Sequence, residues 1–176
     1  MHETIKPLFT KEQISSRIEE LAAQINKDYA GEPLTLVCIL KGGIVFMADL
    51  ARELNIEVEF DFLEVSSYGN SRVSSGIVKI NKDLESAITG KHVLIIEDII
   101  DTGRTLAHLI RHLGAQQPAS LKVCTLLDKP RRREEFIGPP DYIGFSIDDE
   151  FVVGYGLDNA QKCRNLPYIG YLEYEK

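Results

Sequence analysis

Val93-Leu94-Ile95-Ile96-Glu97-Asp98-Ile99-Ile100-Asp101-Thr102-Gly103-Arg104-Thr105-Leu106 is the stretch on which the reading of this chain turns. It starts with four apolar, mostly β-branched residues, the pattern of a strand buried on both faces of a parallel sheet. Adjacent carboxylates, Glu97 and Asp98, follow where such a strand is expected to end. Thr102, Gly103 and Thr105 come next, and Leu106, Leu109, Ile110 and Leu113 then recur at helical spacing. The order is strand, acidic pair, hydroxyl-rich turn, helix. Such a turn leaves backbone N–H groups unpaired at a helix N-terminus, where threonine hydroxyls can join them around a phosphate.

Two nucleotide-binding designs are excluded. No Gly-x-x-x-x-Gly-Lys-Ser/Thr is present, so the stretch is not a triphosphate loop, and no Gly-x-Gly-x-x-Gly follows the strand. What remains is a site for a phosphate monoester with two carboxylates beside it. Carboxylates repel phosphate, so Glu97 and Asp98 must face something else, a ribose diol or a Mg²⁺ ion. A phosphorylated ribose satisfies both halves. For an isolated Glu-Asp pair the plainer reading is a solvated strand end with capping threonines, but the whole strand-turn-helix context favours the ligand.

The stretch resembles the phosphoribosyl-diphosphate (PRPP) motif of type I phosphoribosyltransferases. Asp101 resembles the version found in the 6-oxopurine members, the hypoxanthine-guanine phosphoribosyltransferases. The resemblance implies a mostly parallel α/β sheet flanked by helices, with a small hood from chain-terminal segments over the sheet's C-terminal edge.

Composition agrees with a single domain of this kind. A chain of 176 residues is long enough for one well-buried core, and 44% hydrophobic with 27% charged residues is the balance of an ordinary globular protein. A net charge of −7 argues against a general nucleic-acid binder. Cys38, Cys124 and Cys163 are odd in number, lack zinc spacing and read as reduced thiols. With no signal-peptide core and no apolar run of membrane-spanning length, the cytoplasm is the expected location and no membrane partner is expected.

Outward from the central motif, residues 1–9 read as a short lead. Thr10 and Gln13 form a capping-box pattern ahead of a helical face of Ile14, Ile18, Leu21 and Ile25, which Gly31 and Pro33 end. Leu34 to Leu40 is a second buried strand, Lys41-Gly42-Gly43 turns the chain, and Ile44, Met47, Leu50, Ala51 and Leu54 continue as a helix. That turn alone reads as a glycine-dependent bend with a solvated lysine. The glycines would also let backbone approach pyrophosphate at a helix N-terminus. Leu-Lys-Gly-Gly resembles the pyrophosphate loop of the family, which often has a non-proline cis peptide before the lysine.

Ile56, Val58, Phe60 and Phe62 alternate with acidic residues, the period of a half-buried strand. A serine-rich loop at 66–76 follows, too polar to pack. It resembles the family's flexible lid, whose Ser67-Tyr68 pair would close over the reacting centre and exclude water. Ile77 to Ile80 reads as the returning strand, and Leu84, Ala87 and Ile88 suggest a short helical turn. Gly114 reads as a helix C-cap, and Leu121 to Leu127 and Tyr142 to Ile147 as two further strands. Arg131 to Arg133 reads as a solvated basic face, and Tyr168 to Tyr171 as a last strand.

The remaining roles come from the resemblance. Glu97 and Asp98 would hold the ribose hydroxyls, and Asp101, Thr102, Gly103, Arg104 and Thr105 would wrap the 5′-phosphate. Lys41, Gly42 and Arg164 would bind pyrophosphate, and Mg²⁺ would be the cofactor, held by Glu97, Asp98 and Asp158. A carboxylate near a purine imidazole can accept the proton lost as the ring becomes a nucleophile. By residue type alone Asp101 is as readily an Asx-turn or N-cap residue; the resemblance makes it the general base. Lys129 would donate to the purine's exocyclic oxygen, which selects 6-oxo over 6-amino rings because an ammonium has only donors. Phe151 would stack on the base, Val152 would contact its edge through backbone, and Asp158 completes the purine side. The implied reaction is purine salvage, forming IMP and GMP from hypoxanthine, guanine and PRPP by a homodimer or homotetramer. Cys163 departs from the aromatic residue that bacterial members carry beside the arginine, which leaves the packing there open. Nucleic-acid-binding regulators of the same fold lack an aspartate matching Asp101 and need an extended basic face, so the chain reads as an enzyme. A non-catalytic scaffold would make the separate motifs coincidental.

Overall fold

Thr10 begins the first helix as the sequence requires: its hydroxyl accepts from Gln13 N at 3.2 Å while the Gln13 side chain accepts from Thr10 N at 2.9 Å. From there the computed structural model follows the apolar periodicity closely; it describes residues 3–67 and 78–174. The elements are β1 (Glu3–Phe9), α1 (Lys11–Asp28), β2 (Leu34–Leu40), α2 (Ile44–Glu53), β3 (Val58–Ser67), β4 (Val78–Lys82), β5 (His92–Ile100), α3 (Arg104–Gly114), β6 (Ser120–Asp128), β7 (Tyr142–Ser146), β8 (Val152–Val153) and β9 (Ile169–Tyr174). The expected lid, apart from the end of β3 at Ser66 and Ser67, lies outside the described residues, Tyr68 included.

Six strands form one sheet in the order β4-β3-β2-β5-β6-β7, parallel except for the antiparallel edge strand β4. β2 and β5 lie at its centre, where Leu34–Ile39, apolar but for Thr35, and the apolar run Val93–Ile96 are buried on both faces. On one face α1 and α2 bring Ile14, Ile18, Leu21, Ile25, Phe46 and Leu50 against Leu36, Leu94 and Ile96. On the other, Leu106, Leu109 and Leu113 of α3 cover Val37, Ile95 and Val123. Each such side chain contributes roughly 1.5–3 kcal/mol of burial, so the α1 stripe alone outweighs its cap.

A second sheet, antiparallel and in the order β1-β9-β8, is built from segments near both ends of the sequence. Phe9 stacks on Phe145 with ring centroids 4.0 Å apart, joining this sheet to β7.

Several local expectations are corrected. The first residues are a strand, not a lead, because β9 supplies their ladder partners. β5 runs on past the acidic pair to Ile100, with Ile100 still in register with Asp128. Gly114 is the last residue of α3 and Ala115 the C-cap. No helix forms at Leu84 to Ile88; the N–H groups of Glu85 and Ser86 instead donate to the buried Asp61 carboxylate. Phe60 is 52% exposed, while the intervening Asp61 is buried. In the basic run Arg131 and Arg132 are exposed as expected, each also paired with a carboxylate, Asp148 and Asp101; Arg133 is not, since it pairs with buried Asp128.

Candidate active site

The C-terminal ends of β2 and β5 lie side by side in the parallel sheet, so the turns that leave them meet at one edge. The Leu40–Lys41 peptide is cis. Lys41 and Gly42 from the first turn, and Asp101, Thr102, Gly103 and Thr105 from the second, line one cavity of about 320 Å³. Glu97 and Asp98 from β5 form its floor, and Asp158 and Arg164 enter from the segment that links β8 to β9. That segment sits tightly on the first turn. Gly156 has φ +100°, and a Cβ there would lie 2.2 Å from Gly42 O, so only glycine fits.

Both helices that leave these turns start without a side-chain cap. The N-caps are Gly43 for α2 and Gly103, at φ 82°, for α3. Among the described residues Thr102 Oγ1 accepts only from Arg104 N, at 3.4 Å. Two uncapped N-termini at one cavity present open donors and aligned dipoles to an anion. Arg104 pairs with Glu134 at 2.6 Å.

Beneath these donors lies the acidic pair. Glu97 is 8% exposed, and burial, followed by the neighbouring Asp98 charge, holds its carboxyl well above the usual range. Burial raises Asp98 too, against hydrogen bonds that favour its ionised form. Two acids kept so close have an unmet demand for hydroxyl donors or a cation. Arg164 is better satisfied: its Nη1 donates to Gly156 O at 2.7 Å and its Nη2 pairs with Asp158 at 2.9 Å, while its buried Nε has no partner among the described residues. Cys163 beside it sits in a left-handed turn at φ 74°, half-buried and unbridged.

A second group lies beside the cavity at the end of β6. Lys129 is 6% exposed rather than solvated, and its ammonium donates to Glu150 O at 2.6 Å. The next residue, Phe151, is 58% exposed, so it is not part of the apolar core that Val152 and Val153 enter. β8 is an edge strand, which leaves one side of the Val152 backbone without a strand partner among the described residues.

The sequence profile of the phosphoribosyl transferase domain matches residues 5–160. The chain belongs to the phosphoribosyl transferase family. The hypoxanthine phosphoribosyltransferase of Escherichia coli K12 is 50% identical over 172 residues, covering 97% of this chain and 96% of that protein. The hypoxanthine-guanine phosphoribosyltransferase of Bacillus subtilis is 47% identical over 172 residues, covering 98% and 95%. Among solved structures, a hypoxanthine-guanine phosphoribosyltransferase from Bacillus anthracis superposes with a TM-score of 0.91 at 45% identity, covering 98% of this chain and all of that one. A hypoxanthine phosphoribosyltransferase from Staphylococcus aureus gives 0.92 at 49% identity, covering 96% and 91%.

For a phosphoribosyltransferase, the donor set suits Mg²⁺. No group of three or more acidic, histidine or cysteine side chains forms a cage among the described residues. Mg²⁺ is commonly held by one or two carboxylates with substrate phosphates supplying the rest. The raised, buried Glu97–Asp98 pair, with Asp158 at the same cavity, fits that arrangement. No helix among the described residues is long and apolar enough to cross a membrane.

The structure also brings in residues that sequence reasoning did not select. Arg132, Arg133, Asp128 and Asp149 surround Asp101 and Lys129. The signal available was charge complementarity: the basic run 131–133 follows β6, and the acidic run 148–150 follows β7, its neighbour in the sheet.

Proposed function

We propose that this phosphoribosyltransferase is a purine-salvage enzyme that transfers the 5-phosphoribosyl group of PRPP to hypoxanthine and guanine, giving IMP, GMP and pyrophosphate. The observation that carries the reading is the convergence of two uncapped turns and a buried acidic pair on one cavity, to whose Asp101 the Lys129 ammonium is linked through Asp149 and Arg132.

The 5′-phosphate is held by the N–H groups and hydroxyls of the turn from Asp101 to Thr105, at the α3 N-terminus. Glu97 and Asp98 accept from the ribose hydroxyls, which suits carboxylates that burial has deprived of water. Lys41, the Gly42 amide and Arg164 take the pyrophosphate. Glu97, Asp98 and Asp158 would hold Mg²⁺, which when bound neutralises charge on the leaving pyrophosphate. Lys129 donates to the purine's exocyclic oxygen, Phe151 stacks on the ring, and the free edge of Val152 meets the base. The purine nitrogen bonds to the anomeric carbon as the carbon–oxygen bond to pyrophosphate breaks, and Asp101 receives the ring proton. The enzyme works in the cytoplasm, as a homodimer or homotetramer, with no nucleic-acid or membrane partner.

The test is nucleotide formation with Mg²⁺ and PRPP across hypoxanthine, guanine, xanthine, adenine and uracil. Turnover of hypoxanthine and guanine but not adenine, reduced about 100-fold or more in Asp101→Asn, is expected. Dominant xanthine turnover would move the specificity while keeping the chemistry. Failure to turn over any base would overturn the reading.

A further inference from the structure

The turn that follows β6 carries charge into the site. Arg132 Nε donates to Asp101 Oδ1 at 3.0 Å, and its Nη1 lies 3.4 Å from Asp149 Oδ2. The other oxygen of Asp149 stands 3.7 Å from Lys129 Nζ. Charges therefore alternate along Asp101, Arg132, Asp149 and Lys129. The two ends of this run are the groups assigned above to the ring proton and to the exocyclic oxygen of the purine.

The turn that carries Arg132 is tied down independently. Lys129 N donates to Ile100 O at 2.9 Å and Arg132 N to Lys129 O at 3.0 Å. Arg133 Nη1 donates to Asp101 O at 3.0 Å, and its other nitrogen pairs with buried Asp128. Backbone and neighbour thus fix where the Arg132 guanidinium begins.

Stability does not explain this arrangement. The side chains of Arg132 and Asp149 are 44% and 59% exposed, and pairs so wet contribute little to folding. Orientation is what a planar guanidinium between two carboxylates supplies. It occupies Oδ1 of Asp101 and leaves Oδ2 without a partner among the described residues.

We propose that Arg132 is a positioning residue for the transfer reaction. It fixes Asp101 so that Oδ2 receives the ring proton, and through Asp149 it sets where the Lys129 ammonium stands relative to that oxygen. The ring N–H bond breaks, its electron pair stays on the imidazole, and the proton ends on Oδ2 as the ring attacks the anomeric carbon. That role presupposes the reading of Asp101 as proton acceptor.

A double-mutant cycle on the full chain separates the two. Initial rates with hypoxanthine are measured for wild type, Asp101→Asn, Arg132→Met and the double variant, with melting temperatures alongside. Arg132→Met is expected to lower kcat about 10- to 100-fold with the KM for PRPP unchanged. Its melting temperature should stay within about 2 °C of wild type, and Arg132→Lys should recover part of the rate. In the Asp101→Asn background the same change should cost less than about twofold, because a residue that acts through Asp101 has nothing left to position. Equal losses in both backgrounds, or no loss from Arg132→Met alone, would overturn the role of Arg132 and leave that of Asp101 standing. Full activity of Asp101→Asn would sink the acceptor assignment and the role of Arg132 with it. Should Arg132→Met not fold, Asp149→Asn removes the second anchor of the guanidinium, and the cycle is read the same way.

Discussion

Gly42 and Asp98 meet so closely that a side chain on the first would occupy the carboxylate of the second: a Cβ at Gly42 would lie 1.7 Å from Asp98 Oδ2 and 2.5 Å from its Cγ. The turn proposed to bind pyrophosphate is therefore a wall of the pocket that holds the carboxylate proposed to bind ribose. Contact is possible only because α2 begins immediately after a turn with no side chain at its middle position.

Gly42→Ala should displace Asp98 or the turn by more than 1 Å, since real Cβ contacts are not found under 3.0 Å. Displacements of that size at a reacting centre cost roughly 100-fold. The expected outcome is a folded protein whose kcat/KM for PRPP falls about 100-fold, checked by PRPP calorimetry and a melting curve. Wild-type affinity would show that the two groups do not act on the same substrate.

Glu97 is held protonated by its surroundings at a pH where an ordinary carboxylic acid has ionised. Below its ordinary value of 4.5 the folded and unfolded chains both bind the proton, and its burial carries no ionisation penalty. As pH rises past that value the unfolded chain releases the proton while the folded chain keeps it. Stability then falls until the folded group titrates as well. Glu97→Gln removes this loss. Its melting temperature should exceed that of wild type at pH 7, with the gain closing as pH approaches 4.5. PRPP affinity should fall about 10- to 100-fold, because an amide cannot ionise toward Mg²⁺ and the ribose hydroxyls as the carboxyl would on binding. A pH-independent difference in melting temperature would remove the electrostatic explanation.

The parts of the fold that were legible in sequence are those whose burial is local. Leu34 to Leu40 matches β2 at both ends because a run between Pro33 and Lys41 that is apolar but for Thr35 has nowhere to go but the sheet centre. β1 was invisible because its partner, β9, lies at the far end of the chain. The alternation around Phe60 put that residue inward, yet it is left half-uncovered near the sheet edge. Asp61 is accepted inside because three backbone N–H groups, from Phe62, Glu85 and Ser86, reach its carboxylate. At the site, the residues of the two turns could be selected from motif and spacing. Arg132 could not, because its partners Asp101 and Asp149 come from other strand ends.

Phe151 offers a ring without a structural duty. At 58% exposure its removal takes little from the core, whereas Val152 beside it is buried. Aromatic stacking is worth about 0.5–1.5 kcal/mol beyond burial. Phe151→Ala should therefore raise the KM for hypoxanthine roughly two- to tenfold with kcat and melting temperature unchanged, the signature of uniform binding lost. A lower melting temperature with unchanged KM would assign Phe151 to packing.

Lys129 is a different case, because its ammonium is already committed. It is 6% exposed and donates to Glu150 O at 2.6 Å, so it must turn part of its donor capacity toward a purine oxygen without losing that anchor. An ammonium has three donors and no acceptor, which lets it do both and leaves nothing for the 6-amino group of adenine. Lys129→Gln introduces an amide that can accept as well as donate. Hypoxanthine kcat/KM should fall about 10- to 100-fold with the lost charged donor, adenine should gain measurable turnover, and the ratio between them should narrow. Competing the two bases in one reaction and separating IMP from AMP measures that ratio directly. If adenine is still excluded to the wild-type degree, discrimination rests on backbone at the free edge of β8, and Lys129 serves only to hold the Glu150–Phe151 segment in place.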